Sequence, residues 1–185
     1  VATGGDARAP WITGQVGALM AIRGVHGITL TIADPAPSIA LLTEVLGWSI
    51  TEEADGQTRL GVNGGGPGRT LDILHVPDAP AAVNGLGTVH HVAMAIGTPE
   101  EQLAVREELL RRGLRVTEVR DRQYFRSIYF REPGGVLYEI ATMKPGFAVD
   151  EPVAELGTAL KLPPWEEPHR VEIEAGLPPV KVPSR

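Results

Sequence analysis

The chain contains no cysteine. That absence removes disulfides, thiol nucleophiles, iron–sulfur clusters and cysteine-based zinc sites together, so any metal must be held by histidine and carboxylate. Long apolar runs are missing as well. Nothing approaches the roughly 18 residues that a membrane-spanning helix needs. Positive charge is in deficit, with 17 Lys and Arg against 23 Asp and Glu and a net charge of −6. No basic patch interleaves with aromatics, which argues against a nucleic-acid partner. The first residues lack the charged-then-apolar profile of a secretory signal, and a cytoplasmic location is the expectation.

Aromatics are only 5% of the chain, whereas Gly (22) and Pro (16) are plentiful and 43% of residues are apolar. That mixture suits short strands and many turns around a real core. The 185 residues suffice for one domain or two small modules. Val1–Gly17 is rich in Gly, Ala and Pro without an apolar period and reads as a linker, part of an N-terminal segment 1–20. The chain starts at Val1, which suggests the C-terminal part of a longer protein; a processed terminus is the alternative.

Two segments look alike. Gly24-Val25-His26-Gly27-Ile28-Thr29-Leu30 and Thr88-Val89-His90-His91-Val92-Ala93-Met94 are both alternating strands. A helix is expected after each, over Ser38–Leu46 and Glu100–Arg112. The second has Thr98 and Pro99 placed as N-cap and first helical residue, and Gly113 at its end. Three short strands then follow in each copy: Trp48–Ala54, Gln57–Val62 and Thr70–Val76, then Arg115–Arg120, Phe125–Arg131 and Val136–Thr142. The plan is βαβββ twice, at a spacing of about 64 residues. The expected fold is α+β, two βαβββ modules with a curled mixed sheet. Residues 21–84 form the first module and 85–144 the second. Residues 145–185 form a tail with one short helix near Val153–Leu160 and an extended Pro-rich end from Glu172.

Two residues stand out chemically. His91 opens the second copy's first strand, and Glu139 lies among Leu137, Tyr138, Ile140 and Ala141 in its last. A carboxylate in apolar company needs a partner, because burying an unpaired charge is costly. A metal ion or an arginine would serve. Aligning the copies sets Gly27 opposite His91 and Asp72 opposite Glu139, so the first copy reads as scaffold and the second as the bearer of a site. His26 aligns with His90 and should face away. His75 reads as a turn residue and His169 as a solvated tail residue.

The repeat, the opening Val89-His90-His91-Val92 and the closing Tyr129-Phe130-Arg131-Glu132-Pro133-Gly134-Gly135-Val136-Leu137-Tyr138-Glu139-Ile140 resemble the vicinal oxygen chelate superfamily of glyoxalases, bleomycin-resistance proteins and extradiol dioxygenases. That likeness spans about Ile22–Thr142. The stretch Arg126–Gly135, with Pro145–Pro152 and Leu162-Pro163-Pro164-Trp165, is similar to ring-cleaving dioxygenases that act on para-hydroquinones, and extends the likeness to about Arg170.

The resemblance implies iron(II), with manganese(II) as an alternative, held by His91 and Glu139. It implies His90, Arg122 and Tyr129 as active-site residues: His90 or Tyr129 in proton transfer, Arg122 against developing negative charge. It also implies a small aromatic diol and O₂ as reactants. A site of two histidines and one carboxylate needs a third protein ligand. In the resembled group that histidine comes from an N-terminal pair of modules. It would come here from such a half or from a partner chain, and self-association is expected. Two rivals share the fold: a glyoxalase-type isomerase or lyase, and a metal-independent binding or resistance protein. The first needs further ligands that Gly27 does not offer, and the second needs neither His91 nor Glu139.

Overall fold

Apolar residues that alternate with polar ones put every second side chain on one face of a strand. In Gly27–Ile32 (β1), Leu30 and Ile32 are buried while Thr29 and Thr31 are exposed. The computed structural model describes residues 5–12, 16–80, 83 and 85–179. Parts of the expected linker and of the Pro-rich end, and part of the joint between the modules, lie outside the described residues.

After β1 come helix α1 (Ala36–Glu44) and strands β2 (Ser49–Ala54), β3 (Gln57–Gly61) and β4 (Thr70–His75). The pattern then repeats as β5 (Val92–Ile96), α2 (Pro99–Arg111), β6 (Arg120–Asp121), β7 (Arg126–Arg131) and β8 (Leu137–Thr142). The fold is α+β, with two four-stranded mixed sheets in the orders β1-β4-β3-β2 and β5-β8-β7-β6. In each, the first strand runs parallel to the last. Among the described residues no helix is long and apolar enough to cross a membrane.

One apolar cluster joins the copies. Leu30, Ile32, Leu42, Leu60, Leu71 and Ile73 from the first meet Leu109, Ile128, Phe130, Tyr138 and Ile140 from the second. Each fully buried side chain of this kind contributes roughly 1.5–3 kcal/mol. Between the copies, the Ser38 hydroxyl of α1 donates to Glu132 at the end of β7, and both residues are buried. Arg112 pairs with Glu44 at the surface, 2.8 Å apart. The β7–β8 turn runs close to β1: a Cβ at Gly134 would lie 2.9 Å from Ile32 side-chain carbons.

Three elements differ from expectation. The strand expected over Arg115–Arg120 survives only as β6 and a single bridge between Val116 and Phe130. The Thr117 hydroxyl there accepts the Tyr129 N–H, replacing a carbonyl in the ladder. The helix expected near Val153–Leu160 is one 3₁₀ turn, Val153–Glu155, closed off as Gly157 takes φ +77°. The segment expected to be extended from Glu172 instead holds helix α3 (Arg170–Gly176), whose first residue pairs with Glu167 and Glu174.

Candidate metal centre

Strand pairing brings the second copy's polar groups together. Ala93 and Tyr129 both sit opposite Glu139 on β8, while Val92 and Phe130 sit opposite Tyr138. Residues directly opposite share a face. Tyr138 and Phe130 therefore enter the core, and Glu139 and Tyr129 turn to the other side. His91, two residues before Ala93, joins them. It lies just ahead of β5, because the strand expected over Thr88–Met94 begins only at Val92.

Glu139 is only 3% exposed, yet both of its oxygens are partnered. The His91 Nε2 lies 2.8 Å from Oε2, and the Tyr129 hydroxyl donates to Oε1 at 2.6 Å. The Nδ1 atoms of His90 and His91 are 2.8 Å apart, so one donates and the other accepts. The ring of His91 stands edge-on to Tyr129, with centroids 6.0 Å apart. The guanidinium of Arg122 lies 5.6 Å from the Tyr129 ring centroid. His90, His91, Arg122, Tyr129 and Glu139 thus form a chain of contacts in one place.

The donor set fits a small divalent cation. Two ligands adjacent on a metal, each about 2.1 Å from it, stand roughly 3 Å apart. The His91–Glu139 separation of 2.8 Å matches that spacing. Imidazole with carboxylate is also the ligand chemistry that iron(II) and manganese(II) accept. Among the described residues no group of three or more His, Cys, Asp or Glu could hold a metal.

The first copy carries a different answer at the same register. Thr29 and Arg59 sit opposite Asp72 there, as Ala93 and Tyr129 sit opposite Glu139. Arg59 grips Asp72 with two nitrogens, at 2.7 and 3.1 Å. Its guanidinium holds the Asp72 carboxyl below the usual carboxylate range. Gly27 occupies the place of His91, and a Cβ on it would lie 3.1 Å from the Thr70 carbonyl oxygen. A tethered cation thus neutralises the acid in this copy. His26 lines a cavity of about 530 Å³ on this sheet with Gly27, Arg59 and Asp72, a lining drawn from the first copy. His75 ends β4, and His169 closes a 3₁₀ turn; both are exposed.

Sequence reasoning missed two neighbours. Arg120 reaches the Tyr129 ring from 5.7 Å; its spacing of two from Arg122 was the available signal. Trp165, 51% exposed, lines a cavity of about 500 Å³ with Asp121, Arg122, Pro163 and Glu166. Nothing local in the sequence points from the tail to β6.

Paired βαβββ units, each with a four-stranded mixed sheet, define the fold class. Residues 24–140 match the model of the Glyoxalase/Bleomycin resistance protein/Dioxygenase superfamily, and the chain belongs to that superfamily. The "Putative ring-cleaving dioxygenase MhqE" of Bacillus subtilis (strain 168) is 42% identical over 171 residues, 92% of this chain and 55% of that protein. The "Chlorohydroquinone/hydroquinone 1,2-dioxygenase" of Sphingobium indicum is 32% identical over 165 residues, 85% of this chain and 50% of that protein. A crystal structure of a "putative dioxygenase" from Bacillus subtilis superposes with a TM-score of 0.86 at 39% identity, covering 93% of this chain and 55% of that one. The chain spans about half the length of these relatives.

Proposed function

We propose that this chain is the metal-bearing part of a non-haem iron(II) dioxygenase that opens the ring of a hydroquinone- or catechol-type aromatic, with manganese(II) as an alternative metal. The observation that carries the reading is the His91–Glu139 pair, 2.8 Å apart, with Tyr129 on the second carboxylate oxygen. The names of the relatives support the reaction class. In this reading residues 21–84 are scaffold and residues 85–144 carry the site.

Bound iron supplies a path for electrons from the ring to O₂. The chain's own residues do the rest. Tyr129 occupies Oε1 of Glu139 and leaves Oε2 as the ligand oxygen, so the hydroxyl orients the carboxylate. If His91 held the metal through Nε2, its proton would sit on Nδ1 and be donated to the His90 Nδ1, 2.8 Å away. In that tautomer His90 would present an N–H at Nε2 for exchange with a substrate hydroxyl. Arg122 offers positive charge to a substrate oxygen that loses its proton. The third protein ligand comes from the rest of the protein or from a partner copy.

Metal analysis and oxygen uptake on hydroquinones and catechols, with the natural-length protein loaded anaerobically, test this. Stoichiometric iron and uptake are expected. A folded, loaded sample with neither metal nor uptake would sink the dioxygenase reading. The isolated 185-residue chain is expected to hold iron weakly, and full occupancy there would contradict an incomplete ligand set.

A further inference from the structure

We infer that the site prefers an aromatic diol bearing a carboxylate substituent, and that Arg120 recognises that carboxylate. The inference rests on reading the site as one for aromatic diols. Its basis is a pair of cations without a counter-ion. The guanidiniums of Arg120 and Arg122 lie 5.7 and 5.6 Å from the same ring centroid, that of Tyr129. Both residues are exposed, and among the described residues neither is in an ion pair. Among the other described arginines, Arg8, Arg59, Arg106, Arg111, Arg112 and Arg170 are paired with carboxylates, Arg23, Arg69 and Arg131 donate to backbone carbonyls, and Arg115 and Arg126 are in no ion pair; only Arg120 and Arg122 meet over one ring.

Two guanidiniums brought to one ring repel each other, and an exposed cation–π contact is weak compensation. An anion placed beside them removes the repulsion. A carboxylate also matches the planar fork of a guanidinium with two hydrogen bonds. The other charges near the site do not serve. Glu139 is already occupied by His91 and Tyr129. Asp121 and Glu166 line a cavity with Arg122, but Arg120 is not part of that lining. Arg120 is therefore the cation left for a ligand, one ring away from the proposed metal ligands.

Calorimetric binding to the natural-length protein tests this with two probes of similar shape, 3-hydroxybenzoate and 3-methylphenol. The carboxylate is expected to bind about tenfold or more tightly, the usual worth of a charge-assisted hydrogen bond. Arg120→Ala should abolish that advantage and Arg120→Lys should keep part of it. Turnover of 2,5-dihydroxybenzoate against hydroquinone should show the same preference in kcat/KM. Equal binding of the two probes overturns the proposal. So does an Arg120→Ala protein that melts lower with its selectivity intact, since Arg120 would then serve an internal pair. Uptake on hydroquinone without a carboxylate preference sinks this inference alone. A carboxylate preference in binding without uptake on any diol sinks the dioxygenase reading alone.

Discussion

Glu139 and Asp72 show how one replacement changes what an acid can do. Both sit on the fourth strand of a βαβββ unit, and both face a cross-strand partner. Arg59 closes Asp72 with a permanent cation. Tyr129 gives Glu139 only a neutral donor and leaves one oxygen to share with His91. The proposed function assigns to the metal this nearly buried carboxylate, whose Oε2 is held by an imidazole alone, and that imidazole. Tyr129→Phe should therefore weaken metal binding by about 10–100-fold, the usual effect of losing such an outer partner. A competition titration with a chromogenic chelator reads this directly. Unchanged affinity would mean that the Tyr129 hydroxyl does not orient Glu139.

At the scale of the element, α2 is the best-specified piece of the fold. Its N-cap Thr98 accepts from the Glu101 N–H, and the Glu101 side chain accepts from the Thr98 N–H in return. Pro99 follows at the first helical position. Gln102, buried on this helix, donates to the Ile140 and Arg126 carbonyls of β8 and β7, so the helix start is tied to the strands that carry the site. Thr98→Ala should cost about 1 kcal/mol, and Thr98→Ser should restore most of it. Denaturant midpoints at constant slope would show both effects. The edge strand shows the opposite case. Its expected span over Arg115–Arg120 is reduced to Arg120–Asp121 and the Val116–Phe130 bridge, and the Thr117 hydroxyl takes the Tyr129 N–H in place of a carbonyl. A periodic pattern cannot reveal a side chain that substitutes for backbone.

For the molecule as a whole, the apolar join between the copies carries a buried polar contact among the described residues. Glu132 is 2% exposed and Ser38 1%. One Glu132 oxygen accepts from the Ser38 hydroxyl and the other from the Val136 N–H. The Tyr138 phenol nearby is driven far above its usual range by burial, with the Glu132 charge adding to it. Ser38→Ala leaves a buried carboxylate oxygen without that donor and should cost about 1–3 kcal/mol. Thermal melts should fall by roughly 2–4 °C per kcal/mol in a chain of this size. In a double-mutant cycle with Glu132→Gln the losses should not add, because the two side chains are in contact. Strict additivity would show that the bond contributes nothing.

Much of this was legible in order of residues alone. The doubled βαβββ plan follows from alternation, helix caps and turn signals, all of which act over a few residues. His91, Glu139, Tyr129, Arg122 and His90 were legible as candidates because a histidine or an acid amid apolar neighbours is anomalous wherever the chain leads, and because they match a resembled motif. Strand register decided what alternation could not: it set Tyr129 and Ala93 against Glu139 and turned Tyr138 inward. Arg120 and Trp165 became visible only in three dimensions, since their meaning lies in a ring and a strand distant in sequence. The tail helix at Arg170–Gly176 is a local feature, with Arg170 pairing three and four residues away with Glu167 and Glu174, and the Pro-rich stretch that follows obscured it. Sequence determined which groups could hold a metal, because donor chemistry belongs to residue type. Tertiary structure alone decided that two of them converge at 2.8 Å, because that distance depends on how strands far apart in the chain are paired.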